Sequence, residues 1–580
     1  MTAARRVAYW FRTDLRLHDS PALKAALDLK PDYFYPIWIW DPTYIYHGFK
    51  VGPNRWKFLL DSQNDLSKSI TKINPKSKLL VIRGEPIPVL QLLLVEWGIT
   101  DLVFEQDTEK YASSRDKEVK VLAKRLGVNV LDVVGRNLWD PHKILRANNN
   151  KPTLSITSLR KAATRLGTIK KPEKAPDYLP DPGPLEINTD KNKLMVKSYP
   201  DLNKQFRVGK CTCYDTMTGP KKDFAIVTME ELGMPKVKTF HIGGETEALR
   251  LLEDFVKDPK RVAQFAKPDT SPAQFSPQST SLISPHLHFG TLSVRYVWHK
   301  VDEAIKKFKG TSTQPPVSFH GQLLFREMYF CAEAAIENFG QTYGNRYCRY
   351  IDWNLCNKYD ESGEFIGIDE ITGPDDGTQA NEWFENWKYG KTGFPWIDAL
   401  MRQLRQEGWI HHLGRHSVAC FLTRGHCYIS WERGAEVFQE LLLDHEPACN
   451  IGNWQWLSCT CFFAQYYRVY SPVAFGQKWD KKGKFIRRYV PELKNYPDKF
   501  IYDPWNSPKE AQKNSGCIIG KDYPAPMFDE NERRKICLDR MKNAFQQNLH
   551  GTDKTVLKGN IEKNSNSFDE RKQKKIKMSS

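Results

Sequence analysis

Long apolar runs are scarce in this sequence of 580 residues. No uncharged apolar stretch reaches the ~18 residues that a membrane-spanning helix needs, and Met1 to Arg16 lacks the basic and then apolar layout of a signal peptide. From these absences we expect an intracellular protein that does not cross a membrane. Hydrophobic residues make up 40% of the chain and charged residues 27%, a balance typical of a folded globular protein.

Two common binding signatures are also missing. The twelve cysteines include the C-x-C pairs Cys211/Cys213 and Cys459/Cys461 but no C-x-x-C. This spacing favours neither a zinc knuckle nor a disulfide framework, so we expect reduced, mostly buried thiols. No G-x-G-x-x-G follows the first β-rich run, which argues against ordinary dinucleotide binding there.

Acidic side chains are in deficit. The chain has 69 aspartates and glutamates against 86 lysines and arginines, which gives a net charge of +17. Such an excess favours polyanionic partners, nucleic acid first, because basic side chains neutralise phosphates and release counterions. A solvated basic surface without a partner explains the excess equally well, so charge alone leaves both interpretations open.

Five short β-rich runs stand in the first 135 residues, each followed by a charged stretch of helical character. They are Val7 to Phe11, Tyr33 to Ile39, Leu79 to Ile82, Leu102 to Phe104 and Val128 to Val133. Alternating strands and helices form parallel sheets, and near-continuous apolar strands suit a sheet that is buried on both faces. The sequence therefore predicts a doubly wound, Rossmann-like α/β domain over residues 1–135.

Three further segments follow this domain. Residues 136–240 are basic and proline-rich, which predicts a linker along the surface because prolines remove backbone donors. Residues 241–547 carry apolar groups at helical spacing and many of the seventeen tryptophans, which predicts an all-helical domain with an aromatic interior. Residues 548–580 are polar and basic, and we expect a disordered tail that serves nuclear import or DNA contact, with a plain solubilising tail as the alternative.

Four motifs carry a resemblance to a known family. They are Trp10 to Asp19 (WFRTDLRLHD), Gly393 to Ala399 (GFPWIDA), Gly408 to His416 (GWIHHLGRH) and Asn450 to Trp456 (NIGNWQW). Through them the sequence resembles the photolyase and cryptochrome family from Arg5 to Gln547. The resemblance implies an α/β antenna domain and an all-helical domain that binds FAD. It also allows a second, antenna chromophore, for which deazaflavin, FMN and folate all stay open.

The resemblance implies a set of residues around FAD. Thr280, Ser281 and Ser284 supply three hydroxyls beside an expected helix start, which suits a pyrophosphate, although a simple N-cap accounts for them as well. Arg415 and Asp444 match a charge pair beside the flavin ring. The full predicted cofactor set is Thr280, Ser281, Leu282, Ile283, Ser284, Gln322, Arg326, Arg415, Asp444, Glu446 and Asn450.

Two members of this set vary within the family. Asn450 matches the residue that faces flavin N5, where asparagine is the photolyase choice and its neutral amide can accept or donate. Glu446 stands where the family usually has aspartate, so its carboxylate reaches one methylene further toward the flavin or the ribose.

Two histidines and a glutamine indicate which lesion would be repaired. His412 and His416 lie four residues apart, so on a helix both rings face one way. Cyclobutane-dimer photolyases have Asn and Met at these places, and Glu where this chain has Gln322. Reversal of a (6-4) product moves a hydroxyl between bases, which needs proton transfer near neutral pH. We therefore predict a (6-4) photolyase, a carbon–carbon lyase, with His412 as proton donor and His416 as its helper.

Other interpretations of these histidines stay open. His411, His412 and His416 have a spacing that metal sites also use, but no acidic or cysteine ligand stands nearby in the sequence, so we predict no metal. Ordinary packing histidines are the plainer alternative. Clock cryptochromes carry the same two histidines, so a blue-light photoreceptor or transcription regulator is the alternative function.

The resemblance also implies an electron relay. Trp454 and Trp431 match its proximal and middle places, and Tyr428 matches a fourth relay aromatic. The expected third place falls in residues 373–377, which contain no aromatic residue, so Trp383 or Tyr428 would have to complete the path. Core packing explains each of these rings as well.

UV-damaged DNA is the expected partner of a protein that we expect to be a monomer in the nucleus, with the cytoplasm left open as a further location. The damaged dinucleotide would have to leave the duplex to reach FAD, with basic side chains holding the flanking phosphates. The predicted DNA contacts are Gln322, Arg424, Lys478, Lys484, Arg487 and Arg488.

Overall fold

The structure, a computed structural model, describes residues 4–46, 50–187, 206–237, 239–276, 278–360, 362–369 and 377–558. The chain divides into two compact units. Unit 1 comprises Met1–Thr270, Thr280–Ala335 and Gln439–Cys449, and unit 2 comprises Ser271–Ser279, Ile336–Phe438 and Asn450–Ser580.

Unit 1 contains a five-stranded parallel sheet. Its strands are β1 (Arg6–Trp10), β2 (Tyr33–Trp40), β3 (Leu80–Arg83), β4 (Asp101–Glu105) and β5 (Asn129–Val133), in the spatial order β3-β2-β1-β4-β5. Alternate residues of β1 enter different cores: Val7 and Tyr9 pack on one face, and Ala8 and Trp10 on the other. Because both faces are buried, the predicted doubly wound α/β domain is confirmed.

The helices of unit 1 surround this sheet and continue beyond it. In the described residues they are α1 (Pro21–Asp28), α2 (Thr43–Tyr46), α3 (Pro53–Ile73), α4 (Pro86–Glu96), α5 (Lys110–Arg125), α6 (Pro141–Ala147), α7 (Ile156–Thr164), α8 (Glu245–Val256), α9 (Pro259–Ala263), α10 (Ser284–His288), α11 (Val294–Lys307) and α12 (Phe319–Ala335). Side-chain caps begin several of them: Ser20 accepts from a backbone N–H of α1, and Ser293 does the same for α11.

Unit 2 is helical apart from one antiparallel hairpin. Its described strands and α-helices are β6 (Cys356–Tyr359), β7 (Phe365–Asp369), α13 (Gly377–Tyr389), α14 (Pro395–Glu407), α15 (His412–Cys420), α16 (Trp431–Leu441), α17 (Pro447–Ser458), α18 (Ala474–Trp479), α19 (Lys484–Tyr489), α20 (Lys509–Asn514), α21 (Glu530–Gln547) and α22 (Lys554–Leu557). The end of α16 and the start of α17 belong to unit 1, which includes Gln439–Cys449. Trp387, Trp396, Trp431 and Trp454 are fully buried, as the predicted aromatic interior requires.

The segment boundaries differ from the predicted ones. The expected linker 136–240 contains helices α6 and α7, and helices α8 to α12 belong to unit 1 rather than to a separate helical domain that begins at residue 241. Helical spacing of apolar residues identifies a buried face but does not identify what covers it, and here Leu252 of α8 packs with Val297 and Val301 of α11.

The expected tail begins later than predicted. The backbone N–H of Tyr350 donates to Leu549 O at 2.9 Å, and that of Gly551 donates to Cys348 O at 3.1 Å, so residues 548–551 are tied into unit 2. The basic run from Arg571 to Lys577 lies outside the described residues. Over the part of the chain that the structure describes, no helix combines the length and the apolar character that crossing a membrane requires.

Candidate catalytic and cofactor site

Helix α15 presents the predicted histidine pair. His412 is its first residue and His416 stands one turn later, with ring centroids 5.9 Å apart and ring planes at 82°. Both side chains are only partly buried, whereas the neighbouring His411 is 2% exposed. The helical spacing therefore places two partly buried imidazoles one turn apart, with Nε2 of His412 itself buried.

Neighbouring side chains fix the orientation of these rings. His411 caps α15, since its Nδ1 accepts from Leu413 N at 3.2 Å, and its ring centroid lies 4.4 Å from that of His412. On the other side the hydroxyl of Tyr470 lies 3.5 Å from His416 Nδ1. Tyr470 was not among the predicted site residues, because nothing in its local sequence indicates that it returns to α15. Among the described residues no group of three or more His, Cys, Asp and Glu could hold a metal ion.

Gln322 lies on α12 of unit 1. Its side-chain amide nitrogen donates to the carbonyl oxygens of Pro316, at 3.0 Å, and Ser318, at 3.3 Å. These two bonds assign the nitrogen end of the amide to the backbone and leave the oxygen end as the acceptor for another molecule.

The residues predicted to bind the phosphates lie at the start of α10, of which Ser284 is the first residue. Thr280, Ser281 and Ser284 are partly exposed, Leu282 has the left-handed φ of 57°, and Ile283 is buried. The Thr280 hydroxyl is buried and has no hydrogen-bond partner among the described residues. An orphaned hydroxyl suits an oxygen acceptor such as a phosphate, so this segment fits the FAD pyrophosphate.

The Glu446 carboxylate makes its ionic contacts with residues of unit 1. It accepts from Arg136 at 2.6 Å and lies 3.7 Å from Arg326 and 3.9 Å from His288. Burial alone would raise the pKa of this carboxyl, but Arg136, His288 and Arg326 together hold it below its ordinary value. The structure therefore places Glu446 and Arg326 in one buried ionic cluster, and the direct cofactor contact that the sequence predicted for them stays a prediction.

The remaining cofactor candidates belong to different units. Asn450 in unit 2 donates from its side-chain nitrogen to Ala435 O at 3.0 Å, so the amide oxygen is the end that this bond leaves for a cofactor. Arg415 donates to Ile410 O at 2.9 Å. The expected pairing of Arg415 with Asp444 joins residues of units 2 and 1 and stays a prediction.

The predicted relay rings are fully buried in unit 2. Trp454 packs against Trp387 at 6.3 Å and against Phe438 at 5.0 Å between ring centroids. A Cβ on Gly434 would come within 2.1 Å of the Trp454 ring, so only glycine lets the ring lie this close to α16. Trp431 donates from Nε1 to the Thr342 hydroxyl at 3.2 Å.

Trp353 was missed as a relay candidate. It is 2% exposed, and its ring centroid lies 4.7 Å from that of Tyr428. Counting back from Trp387 led to residues 373–377, because the hairpin β6–β7 lies between Trp353 and α13. The sequence signal was the tryptophan itself, in Tyr350 to Asn354 before the hairpin, but only the ring contact identifies it as the neighbour of Tyr428.

The predicted DNA contacts differ in how exposed their side chains are. Arg424 is 1% exposed and donates to Leu457 O and Tyr466 O, each at 2.7 Å, so it stabilises the interior of unit 2 and does not fit a surface DNA contact. Arg487 is tied to Asp498 at 2.5 Å. Three candidates are exposed, namely Lys478, Lys484 and Arg488, and the guanidinium of Arg488 lies 3.7 Å from the Glu407 carboxylate.

Unit 1 also contains a cavity of about 170 Å³ beside the carboxyl ends of β1 and β2. Trp40 and Trp56 line it, with ring centroids 5.3 Å apart. The indole N–H groups of both, and Nε of Arg55, are buried without hydrogen-bond partners among the described residues. Burial lowers the pKa of Arg55 to about 10. Unpaired donors beside two indole rings, whose planes are tilted by 36°, suit a planar ligand rich in acceptor atoms.

Known proteins resemble this chain over most of its length. Residues 319–543 match the family described as the FAD binding domain of DNA photolyase, and residues 7–177 match DNA photolyase. Cryptochrome-2 of Gallus gallus is 39% identical over 93% of this chain and 84% of its own length. A (6-4)DNA photolyase of Oryza sativa subsp. japonica is 37% identical over 94% of this chain and 91% of its own length. The solved structure of a bacterial class III photolyase from Agrobacterium tumefaciens is 27% identical, with a TM-score of 0.69 over 94% of this chain and 99% of its own.

These similarities agree with the parallel sheet of unit 1, the helical unit 2 and the residues that fit FAD. The chain belongs to the photolyase and cryptochrome family and carries its FAD-binding domain.

Proposed function

We propose that this protein repairs (6-4) pyrimidine–pyrimidone photoproducts in DNA under light. The observation that carries the proposal is the pair of partly exposed imidazoles at the start of α15, 5.9 Å apart. Two imidazoles at this distance can serve one substrate, one donating a proton and the other orienting or recovering it near neutral pH.

His412 donates the proton to the hydroxyl that must move between the two bases of the lesion. His416 is held beside it by the hydroxyl of Tyr470 at 3.5 Å. A lesion contact by Gln322 of unit 1 stays a prediction, for which its amide oxygen is the acceptor, since the nitrogen end is already used by the backbone. Reduced FAD, when bound, would supply the light-driven one-electron chemistry under near-UV or blue light.

Reduction of the cofactor proceeds through the buried tryptophans of unit 2. Trp454 and Trp431 take the proximal and middle places that the family resemblance assigns, and Trp353 takes the distal place in front of Tyr428. The absence of an aromatic residue at 373–377 then no longer interrupts the path.

The cavity of unit 1 is the proposed site of a second, light-harvesting chromophore. The neighbouring indoles of Trp40 and Trp56 would pack against its ring, and their unpaired N–H groups would bind its acceptor atoms. Deazaflavin, FMN and folate all have such rings and acceptors, so the choice among them stays open.

UV-damaged DNA is the proposed partner of a monomer that acts in the nucleus. The exposed side chains of Lys478, Lys484 and Arg488 support this proposal, because they lie in the segment that follows Tyr470. Phosphate contacts from such side chains would position the duplex while the lesion is flipped out of it.

Cryptochrome signalling is the second candidate. Cryptochrome-2 of Gallus gallus is similar to this chain over 93% of its length, at slightly higher identity than the rice (6-4)DNA photolyase. In a photoreceptor the same FAD site would change a protein contact instead of a lesion.

Illumination of the reduced, FAD-loaded protein with an oligonucleotide that carries a single (6-4) lesion decides between the two. We expect the wild type to repair it, and His412→Ala to bind the lesion but to lose at least ~100-fold in repair rate, the range for loss of a general acid. His142→Ala, which removes an exposed histidine of α6, serves as the matched control and should repair normally. Repair at wild-type rate by His412→Ala would refute the assigned role, and a light-responsive wild type without any repair would favour signalling.

A further inference from the structure

Strand β7 carries an exposed apolar surface at the edge of its sheet. Phe365 is 54% exposed, Ile366 63% and Ile368 39%. Within the described residues this sheet consists of β6 and β7 alone, so β7 has no strand along its outer edge there. Alternate N–H and C=O groups of an antiparallel strand point away from its partner strand. An apolar edge of this kind is a site where another strand can pair, and proteins usually protect it.

The inner strand β6 fixes this hairpin to the helical part of unit 2. The side-chain oxygen of Asn357 accepts from Arg433 of α16, and its side-chain nitrogen donates to the hydroxyl of Tyr359 at 3.2 Å. The ring of Tyr359 stacks on that of Tyr343, with centroids 5.0 Å apart and planes at 21°. The outer edge is therefore presented on a backbone that is already held in place, which lowers the entropy cost of binding a partner.

The turn between the two strands is closed by its own hydrogen bonds. Oδ1 of Asp360 accepts from the hydroxyl of Ser362 at 2.6 Å and from the backbone N–H groups of Ser362 and Glu364, each at 2.9 Å. These bonds, the hydroxyl's first, hold the pKa of the Asp360 carboxyl below its ordinary value. Behind the turn, Lys358 of β6 pairs with Asp369 of β7 at 3.5 Å. Both ends of β7 are thus tied to β6, and its other edge stays open.

The charge around β7 is opposite in sign to that of the whole protein. The net charge of the chain is +17, yet the segment 360–376 contains no lysine or arginine. Its seven acidic residues are Asp360, Glu361, Glu364, Asp369, Glu370, Asp375 and Asp376. This local negative charge repels nucleic acid, and it also opposes pairing of β7 with β7 of a second copy, because two acidic segments would meet. The chemistry that complements this edge is a basic polypeptide.

We propose that the outer edge of β7 binds an extended segment of a partner protein as a third strand, and that this segment alternates apolar with basic residues. Backbone hydrogen bonds to the open edge supply the affinity. Ile366 and Ile368 are two residues apart and share a face, so every second side chain of the added strand covers them. The side chains between these are basic and meet the carboxylates that flank β7. The inference does not depend on the proposed repair activity.

Titration of the FAD-loaded, whole chain into a fluorescently labelled peptide of alternating lysine and valine tests this inference. We expect binding, measured by fluorescence anisotropy, and slower hydrogen–deuterium exchange of the backbone in residues 364–369. A peptide with prolines in place of the valines keeps the charge but is unsuited to a paired strand. A glutamate–valine peptide keeps the strand propensity but reverses the charge. Both should bind at least about tenfold more weakly.

Ile366→Lys combined with Ile368→Lys removes the apolar contact and adds like charge to the edge, and should weaken binding of the lysine–valine peptide about tenfold. Val95→Lys combined with Val121→Lys is the matched control. These valines of α4 and α5 are 57% and 72% exposed, and their replacement adds the same charge to unit 1, so this variant should bind as the wild type does.

Three results would overturn the proposal: absence of binding by the wild type, equal binding of the lysine–proline peptide, and equal binding by the two double variants. So would a dimer in solution that the isoleucine variant abolishes, since a second copy would then occupy β7. Because the assay contains neither DNA nor light, a protein that fails to repair a lesion can still pass it.

Discussion

Glu432 is a buried carboxyl group next to the relay residue Trp431, and its burial affects the stability of the fold. It comes directly after Trp431 and accepts from Thr342 N at 2.8 Å, while 5% of its surface is exposed. Burial raises the pKa of its carboxyl to about 7, against an ordinary value of 4.5. The folded protein thus binds this proton more tightly than the unfolded chain does, so the group destabilises the fold as pH rises from about 4.5 to about 7.

We therefore expect Glu432→Gln to stabilise the protein at pH 8 more than at pH 5. The amide keeps an oxygen acceptor for Thr342 N but has no charge to bury, and a shift of this size corresponds to up to about 3 kcal/mol. Denaturant unfolding of variant and wild type at both pH values measures the difference. Glu510→Gln, on the exposed surface of α20, should show no such gain between the two pH values. A difference that is the same at pH 5 and pH 8 contradicts the raised pKa.

Individual residues also mark the limit of sequence reasoning. The identity of His412, His416 and Gln322 could be interpreted from the sequence, because their spacing and chemistry are local. The role of Arg424 could not be predicted from the sequence. An arginine that binds a phosphate and one that donates to buried carbonyl groups, as Arg424 does to Leu457 and Tyr466, have the same sequence signal. Burial depends on residues that are distant in the chain, and one sequence does not specify them.

Among the elements, α15 carries the proposed catalytic residues and depends on its first turn. The imidazole of His411 accepts from Leu413 N at 3.2 Å, and its ring lies 4.4 Å from that of His412. A side-chain acceptor at this position satisfies one of the free N–H groups of the helix start.

We expect His411→Ala to lower the free energy of unfolding by about 1 kcal/mol, because α15 loses this cap. His411→Asn should recover most of that loss, since asparagine is a strong capping residue. Urea unfolding of both variants measures the effect, and repair assays should show the alanine variant impaired through the orientation of His412. Equal stability of the two variants would mean that the cap does not contribute.

The hairpin β6–β7 is the reason that the sequence analysis missed Trp353 as a relay residue. It separates Trp353 from α13, so a count along the chain from Trp387 misses the tryptophan that packs against Tyr428. A count of residues from Trp387 gives the right position only if the segment between the two relay residues has the length usual in the family. Ring packing, in contrast, depends on which residues lie close together in the folded chain. The strands β1 to β5, in contrast, were predicted closely, because each is a continuous apolar run and that pattern is local.

For the whole molecule, the net charge of +17 is the property that bears on DNA. The exposed lysines Lys478 and Lys484 follow Tyr470 in unit 2, and each phosphate contact that they make would release counterions.

We expect replacement of Lys478 and Lys484 by alanine to reduce the dependence of log K for DNA binding on log salt by about 2. Binding isotherms at several salt concentrations measure the slope. Lys24→Ala combined with Lys76→Ala removes the same charge from unit 1, where these lysines pair with Asp28 and Asp181, and should leave the slope nearly unchanged. Equal slopes for the two double variants would exclude a DNA face beside Tyr470.

The sequence by itself determined the doubly wound sheet, the helical character of the second half, the family and the histidine pair. All of these rest on periodicity, on short motifs or on a spacing of four residues, which act over a few turns of chain. Only the tertiary structure decided that helices α8 to α12 belong with the sheet, that Arg136 and Arg326 engage Glu446, and that Asp352 and Arg540 enclose Tyr428. These contacts join residues up to 310 positions apart, and their free energy arises from burial and charge pairing that no local pattern encodes.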